Sequence, residues 1–302
     1  MTFSQKVSAA VRAKKSPVVV GIDPRFALIP ESLRAGVVEG DWQGMARVYQ
    51  DFSCKILDIV APYAPCVKPQ LAFFEMLGPH GMFALANVIE HARSLNLVVI
   101  LDGKRNDIGS TAEGYAAAYL GERSPWRGDA LTINPYLGDD SLAPFVKTAE
   151  DCGAGIFVLV KTSNPGGGML QDLEANGKTI YQHSADWVES AAAKFANLRG
   201  DQYGAVGAVV GATYPEQLAH LRTRMPHAWI LVPGFGAQGG GVKDVLPAFD
   251  DQGLGALINN SRGIIFSYIR PEMKERYSEN EWEAAVEDAA RTMRELFIDV
   301  VK

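Results

Sequence analysis

The sequence predicts an α/β protein built as a single (β/α)8 (TIM) barrel domain over residues 1–302, with additional helices at its N- and C-terminal ends. Eight short apolar segments alternate with amphipathic patterns, and no Pro/Ser-rich linker or change in composition divides the chain. The apolar segments are rich in Val, Ile and Leu and lack polar alternation, which is typical of parallel strands covered on both faces. This alternation favours a closed barrel over two doubly wound halves.

Each predicted strand is a short apolar run that ends in a polar or Gly-rich loop. The eight runs are 18–23, 65–69, 97–102, 129–135, 155–161, 205–212, 229–236 and 255–261. Apolar residues at helical spacing predict helices between or beside them at 3–14, 43–60, 81–94, 139–151, 181–198, 215–224 and 242–249. A last helix is predicted from Glu279 to the C-terminus, with an apolar stripe of Trp282, Val286, Ala289, Met293, Leu296 and Val300. We expect a flexible, helix-poor segment between the fifth strand and about Lys178.

Composition limits the classes of partner. Apolar residues make up 47% and charged residues 21%, as in an ordinary globular protein, and the net charge is −6. Without a basic stripe, we expect no nucleic-acid partner, and an anionic ligand needs a local cationic pocket. Cys54, Cys66 and Cys152 form no C-x-x-C pair, which favours a reducing compartment. With no signal peptide or membrane span in the pattern, we expect a cytoplasmic protein with no membrane partner.

A barrel of this kind predicts that functional side chains lie at the C-terminal ends of its strands. Polar residues at those positions are Asp23, Lys68, Asp102 with Lys104, Asn134, Thr162 to Asn164, Gln238 and Arg262. Asn134 is interpreted either as a ligand contact or as a turn residue at the end of its strand. Functional side chains are therefore expected at these positions.

The stretch LVVILDGKRNDIGST (97–111) ends a buried strand in opposed charges. Asp102 and Lys104 are two residues apart, so in an extended chain their side chains point the same way. Asp107 lies in the turn before a helix, and Lys68 ends the neighbouring strand, which predicts alternating charges. Flanking carboxylates favour the ammonium form of Lys104, making it a proton donor rather than a Schiff-base nucleophile. The alternative is a structural ion-pair network at the barrel rim.

Two loops predict a phosphate site. PGFGAQGGG (233–241) follows the seventh strand and SRG (261–263) follows the eighth, where barrels often hold a phosphate. Arg262 offers bidentate donors and Gln238 offers an amide. After the fifth strand, the hydroxyl and amide groups of KTSNPGGG (161–168) suit the edge of a planar polar group such as a nucleobase, although a surface loop with a Pro-Gly turn explains them equally well.

Several chemistries lack their motifs. The five histidines form no H-x-x-x-H or H-E-x-x-H pattern, so no metal site is predicted. No G-x-S-x-G elbow or Walker A motif is present, which argues against a hydrolytic triad. The G-x-G-x-x-G match GFGAQG (234–239) lies in the loop interpreted above as part of a phosphate site, so hydride transfer is not favoured.

Taken in order, the motifs resemble those of the orotidine 5′-phosphate decarboxylase family. D-G-K-R-N-D (102–107) fits the D-x-K-x-x-D signature of that family, and G-I-D-P-R, V-K-P-Q, K-T-S-N-P, P-G-F-G-A-Q-G-G and S-R-G resemble its longer bacterial branch. The resemblance covers nearly the whole chain. The signature alone is less specific, because related barrels that act on sugar phosphates carry it too.

The resemblance implies a carboxy-lyase that converts orotidine 5′-monophosphate to uridine 5′-monophosphate and CO2, the last step of de novo UMP biosynthesis, with no metal or cofactor. It implies that Lys68, Asp102, Lys104 and Asp107 form a charged tetrad in which Lys104 protonates the C6 carbanion. Its other implied assignments are Asp23 at the ribose, Thr162 or Ser163 at the pyrimidine, Gln238 and Arg262 at the phosphate, and Asp107 with Thr111 in the neighbouring subunit's site of a homodimer. Loops 163–178 and 235–241 are expected to close over the substrate.

Two alternatives remain at this point. A barrel of the same ancestry acting on a sugar phosphate, as a β-keto acid decarboxylase or an aldolase, would use Mg²⁺. A noncatalytic barrel that binds a phosphate ligand is the other alternative, but it leaves the four charges unexplained.

Overall fold

The computed structural model describes residues 1–236 and 241–302 and shows a closed barrel of parallel strands. Each barrel strand pairs with its neighbours in the chain, and β1 also pairs with β8 to close the circle. The strands are β1 Val18–Ile22, β2 Cys66–Pro69, β3 Val98–Arg105, β4 Ala130–Ile133, β5 Gly155–Lys161, β6 Val206–Val210, β7 Ile230–Val232 and β8 Ala256–Asn260. The predicted fold class and all eight predicted strands are confirmed.

Helices surround the barrel. Their bounds in the described residues are α1 Phe3–Lys14, α2 Glu31–Arg34, α3 Trp42–Val60, α4 Leu71–Glu75, α5 Gly78–Ser94, α6 Gly109–Tyr119, α7 Asp139–Cys152, α8 Gly168–Gln171, α9 Ile180–Arg199, α10 Pro215–Arg224, α11 Val242–Val245, α12 Arg262–Ile265, α13 Pro271–Lys274 and α14 Trp282–Glu295. None of these helices is long and apolar enough to cross a bilayer.

The hydrophobic core has two parts. The larger part lies between the strands and the surrounding helices. The smaller part fills the barrel interior and includes Val19, Cys66, Ile100, Phe157, Trp229 and Leu257. Helix α1 joins this interior part through Phe3, Val7 and Val11, so it closes the end of the barrel where the strands begin. The opposite end, where the strands finish, is left open for a site.

Helix α1 is well specified by its local sequence. The Thr2 hydroxyl accepts a hydrogen bond from the Gln5 backbone N–H (3.2 Å), while the Gln5 side chain accepts one from the Thr2 N–H (3.1 Å). This capping box satisfies backbone donors that a helix start otherwise leaves unpaired. The same arrangement of Thr179 and Gln182 begins α9.

Two predicted segments differ from the structure. The segment after β5 is not helix-poor throughout, because it contains a 3-10 turn at Pro165–Gly167, helix α8 and a two-residue hairpin of Glu174–Ala175 with Lys178–Thr179. The last helix ends at Glu295 instead of continuing to the C-terminus, and beyond it Phe297 is buried while Leu296 is 48% exposed. Once the helix ends, its spacing no longer decides which side chain faces the core.

Candidate active site

Asp102, near the end of β3, lies between two lysines at the open end of the barrel. Its Oδ2 is 2.6 Å from Lys68 Nζ, and its Oδ1 is 2.6 Å from Lys104 Nζ. The side chains of Lys68 and Asp102 are each only 7% exposed, whereas that of Lys104 is 48% exposed. One carboxylate thus holds a buried ammonium on one side and an accessible ammonium on the other.

Neutral groups complete the contacts of Asp102. The Thr132 hydroxyl donates to Oδ1 (2.9 Å), and the Gln70 amide donates to Oδ2 (3.0 Å). Each carboxylate oxygen therefore accepts two hydrogen bonds, one of them from an ammonium. A carboxylate held by this many donors is fixed in orientation, as preorganised catalysis requires.

The charges of the cluster support one another. Burial by itself raises the pKa of Asp102, but the ammonium groups of Lys68 and Lys104 outweigh it, and the pKa lies well below its usual range. Burial by itself lowers the pKa of Lys68, but the carboxylates of Asp102 and Asp23 outweigh it, and the pKa is raised. Both groups therefore remain charged at neutral pH.

The backbone of β3 is irregular at this point. Leu101 pairs with Leu131 and Arg105 with Ile133, so β3 advances by four residues between these pairs where β4 advances by two. Lys104 has a left-handed backbone with φ of 46°, a conformation that costs a non-glycine residue about 1–3 kcal/mol. Its backbone N–H donates to the Thr132 hydroxyl at 2.9 Å. Lys104 therefore reaches Asp102 through this irregularity, not through the regular alternation that predicted it.

These side chains line a cavity of about 210 Å³ at the open end of the barrel. Its polar lining is Lys68, Asp102, Lys104, Thr132, Thr162, Ser163 and Asn164, and its apolar lining is Leu159, Val209, Leu231 and Pro233. Strands β2 to β7 or the loops that follow them supply these residues. A cavity lined by both charged and apolar side chains suits a flat ring that carries polar or charged substituents.

The hydroxyls after β5 differ in their surroundings. Thr162 is held by the side chain of Gln171, which accepts from the Thr162 N–H (3.0 Å) and donates to its Oγ1 (2.8 Å). Ser163 packs on Gly211, where an added Cβ would lie 2.7 Å from the Ser163 Cβ. Of the two residues, only Ser163 has a side chain that no hydrogen bond within the described chain engages.

Asp23 follows β1 and Asn134 follows β4, both at the C-terminal ends of barrel strands. Asp23 Oδ1 is buried and has no hydrogen-bond partner among the described residues, which leaves an acceptor for a ligand hydroxyl. Asn134 Oδ1 accepts from the Tyr136 N–H at 3.0 Å, so this side chain closes a turn. The interpretation of Asn134 as a turn residue is confirmed.

A second cavity, of about 400 Å³, lies at the end of β8. It is lined by Arg262 and Gly263 together with Gly236 and Arg270, among others. Gln238, the other residue predicted to bind phosphate, lies outside the described residues. Arg270 was not predicted because it follows a short turn beyond α12, where no strand-end signal marks it; it adds a second guanidinium to this cavity.

Asp107 and Thr111 do not join the cluster within one chain. Asp107 Oδ1 accepts from the Ile108 backbone N–H (2.9 Å), and no ion pair links Asp107 to a lysine in the described part of the chain. Thr111 is exposed on the first turn of α6. Neither residue lines the cavity that Asp102 lines.

Comparisons with known proteins identify the family. A model described as "Orotidine 5'-phosphate decarboxylase / HUMPS family" matches residues 16–275. The chain belongs to this family. A curated orotidine 5′-phosphate decarboxylase from Rhodopirellula baltica is 54% identical over 299 residues, 98% of each chain. Another from Deinococcus radiodurans is 43% identical over 272 residues, 88% of this chain and 90% of its own.

Solved structures agree with this membership. The structure of Leishmania donovani OMP decarboxylase superposes with a TM-score of 0.75 at 32% identity, covering 99% of this chain and 98% of its own. As a member of the family close to these relatives, the chain is an enzyme of the carboxy-lyase class. Within residues 1–236 and 241–302, no three His, Cys, Asp or Glu side chains are grouped as metal ligands.

Proposed function

We propose that this chain removes CO2 from orotidine 5′-monophosphate to give uridine 5′-monophosphate, the last step of de novo UMP biosynthesis, without a cofactor. The observation that carries the proposal is the arrangement of Lys68, Asp102 and Lys104 at the floor of a cavity at the open end of the barrel. Family membership and the names of the relatives support the same reaction.

In this mechanism the substrate carboxylate lies beside Asp102 and Lys104. The bond between C6 and the carboxylate breaks, CO2 departs, and the electron pair stays on C6. Lys104, whose ammonium is accessible from the cavity, stabilises the developing carbanion and transfers a proton to C6. Lys104 then regains a proton from water. Asp102 holds Lys104 in place, and Lys68 keeps Asp102 ionised.

The remaining contacts fix the substrate. We assign the unpartnered carboxylate oxygen of Asp23 to the ribose hydroxyls, Ser163 or Thr162 to the pyrimidine, and Arg262 with Gln238 to the phosphate. Phosphate binding remote from the reacting carbon contributes energy that positions the base. These assignments use the polar groups at the ends of the strands.

We also propose a homodimer in the cytoplasm. Asp107 and Thr111 do not line the cavity of their own chain, and Thr111 is exposed, which supports a role in the neighbouring subunit's site. Three unpaired cysteines, Cys54, Cys66 and Cys152, fit a reducing compartment.

The test is to incubate the purified protein with orotidine 5′-monophosphate at pH 7 in EDTA and to follow the loss of substrate ultraviolet absorbance. We expect turnover that EDTA does not reduce. Absence of turnover would refute the proposal. Activity lost on chelation and restored by Mg²⁺ would favour the alternative in which the barrel acts on a sugar phosphate.

A further inference from the structure

The segment that follows β5 is fastened to the end of that strand at two successive positions. Gln171 is bonded to Thr162 through two hydrogen bonds, and the next residue, Asp172, is paired with Lys161, the residue before Thr162. Residues 161 and 162 are therefore joined to residues 172 and 171, which closes the intervening segment into a small ring. We call the paired hydrogen bonds of Gln171 and Thr162 the Gln171 clamp.

The first connection is the ion pair of Lys161 with Asp172, and its lysine is buried. The register of β5 against β6 shifts between Leu159 and Lys161, which turns Lys161 out of the barrel mouth. The Lys161 side chain is only 3% exposed, and its Nζ lies 5.3 Å from the ring centre of Tyr181 and 5.5 Å from that of Tyr214. Asp172 supplies the carboxylate for this buried ammonium. Removal of a buried charge from its partner is costly, so this end of the ring is firmly held.

The second connection, the Gln171 clamp, is closely packed. Gly167 is buried against the Gln171 clamp, and a Cβ added there would lie 2.8 Å from Thr162 Oγ1 and 3.1 Å from Gln171 Oε1. Its φ of −59° is ordinary for any residue, so space and not backbone conformation requires glycine. The Gln171 clamp fixes Thr162, and Gly211 lies directly against Ser163.

We propose that Gln171 is a positioning residue that sets the Ser163 hydroxyl against the substrate base. The inference rests on the proposed function, because it takes the cavity lined by Ser163 as the nucleotide site. Gln171 does not line the cavity, and it acts through Thr162, the residue next to Ser163. Its loss frees the backbone of Ser163 without removing any group that touches the substrate.

The test is a double-mutant cycle read by calorimetric binding of uridine 5′-monophosphate. Gln171→Met keeps the length of the side chain and removes both hydrogen bonds, and Ser163→Ala removes the hydroxyl. We expect each single variant to weaken binding about three- to tenfold, the worth of roughly one net hydrogen bond. In the Ser163→Ala background, Gln171→Met should add less than about twofold, because the group that it positions is already absent.

Three further variants separate positioning from folding. Gln182→Met is the matched control, since Gln182 bonds the Thr179 N–H (2.9 Å) in the same way at the start of α9, away from the cavity, and should leave binding unchanged. Gln171→Glu keeps an acceptor for the Thr162 N–H and for its rotated hydroxyl, so it should recover most of the affinity. Gly167→Ala disturbs the Gln171 clamp sterically, so it should weaken binding to the same extent as Gln171→Met. It takes the place of Gln171→Met in the test if that variant does not fold.

Independent, additive effects of Gln171→Met and Ser163→Ala would overturn the inference, as would normal binding in both Gln171→Met and Gly167→Ala. Wild-type turnover of orotidine 5′-monophosphate is measured on the same preparation. If the wild-type protein turns over the substrate but the effects of the two substitutions are additive, only the role of Gln171 is refuted. A wild-type protein without turnover refutes the proposed function itself.

Discussion

Lys104 differs from Lys68 in its access to the cavity. Both ammonium groups contact the same carboxylate, but the Lys68 side chain is 7% exposed and that of Lys104 is 48% exposed. A proton donor must reach the substrate and regain its proton from water, whereas a charge that fixes Asp102 is best buried. The two lysines are therefore suited to different tasks at one carboxylate.

Lys104→Ala is expected to lower kcat by at least about 10²–10⁴-fold, since it removes the proposed general acid. Binding of uridine 5′-monophosphate should persist, because the proposed ribose and phosphate contacts remain. Lys55→Ala is the control: its side chain is 46% exposed and paired with Glu283 away from the site. Steady-state kinetics and calorimetry give the two readouts, and near-normal turnover in Lys104→Ala would contradict the mechanism.

Asp102→Asn is expected to destabilise the protein in a pH-dependent way. The lowered pKa of Asp102 contributes stability above about pH 4 that is lost as the pH falls below it, and the raised pKa of Lys68 contributes stability below about pH 10 that is lost as the pH rises past it. The variant should therefore lose about 3–5 kcal/mol in the free energy of unfolding between about pH 5 and 9. Below and above this pH range, the difference between variant and wild type in the free energy of unfolding should become smaller.

Urea unfolding at several pH values measures this difference. Asp151→Asn is the control, because Asp151 is 60% exposed in an ion pair with Lys147 and should change stability little. If the loss in the free energy of unfolding caused by Asp102→Asn grows as the pH falls, the cluster does not hold Asp102 ionised.

Among the elements, β3 and β5 each depart from regular pairing near their C-terminal ends, with opposite results. The shift in β3 between Leu101 and Arg105 brings Lys104 onto Asp102. The shift in β5 between Leu159 and Lys161 turns Lys161 outward to Tyr181 and Tyr214. Irregular strand ends thus select which lysine faces the cavity.

Helix α1 is the element that closes the opposite end of the barrel, and Phe3→Ala tests this role. Phe3 is 1% exposed and lies edge to face with Phe157, with ring centres 5.8 Å apart. We expect a loss of about 3–5 kcal/mol in the free energy of unfolding. Because the site is at the other end, kcat of the folded protein should change little.

Phe83→Ala is the matched control for Phe3→Ala, since Phe83 is 75% exposed on α5 and should cost less than about 0.5 kcal/mol. Equal losses in the free energy of unfolding in the two variants would show that packing of α1 does not close this end of the barrel.

For the whole molecule, α1 packs into the smaller part of the core and α14 into the larger part around the same barrel, which supports the proposal that residues 1–302 form one domain. Three exposed apolar side chains follow the neighbouring strands β3 and β4: Ile108 is 57% exposed, Tyr136 75% and Leu137 46%. Ile108 is the residue after Asp107 in the chain, and we take these side chains as one apolar region. It supports a partner chain at the face where Asp107 and Thr111 would enter a second site.

Mixing Lys104→Ala and Asp107→Ala proteins tests the shared site. Each homodimer lacks one residue in both sites, but a hybrid has one site with both residues intact. Random subunit exchange should therefore restore about a quarter of the wild-type activity. The control mixture of Lys104→Ala with Asp102→Asn should stay inactive, because neither site of that hybrid is complete. No recovery in the first mixture, despite proven exchange, would count against a role of Asp107 across the interface.

By itself the sequence determined the barrel and the strand ends at which its polar residues gather. Apolar runs and helical spacing are local patterns, so the strands were predicted to within a few residues, as were the positions of Asp23, Lys68, Asp102 and Lys104. Glycine and arginine after the last two strands likewise indicated where a phosphate would bind.

Only the tertiary structure decided which of these groups meet. Thr132 and Gln70 bind Asp102 from strand ends about 30 residues away in the chain, and no local pattern marks such pairs. The register shifts in β3 and β5 depend on hydrogen bonds to neighbouring strands, so alternation along one strand placed Lys104 beside Asp102 without the irregularity that brings it there, and it does not predict that Lys161 lies outside the site. The Gln171 clamp likewise exists only because the segment after β5 folds back onto its own strand.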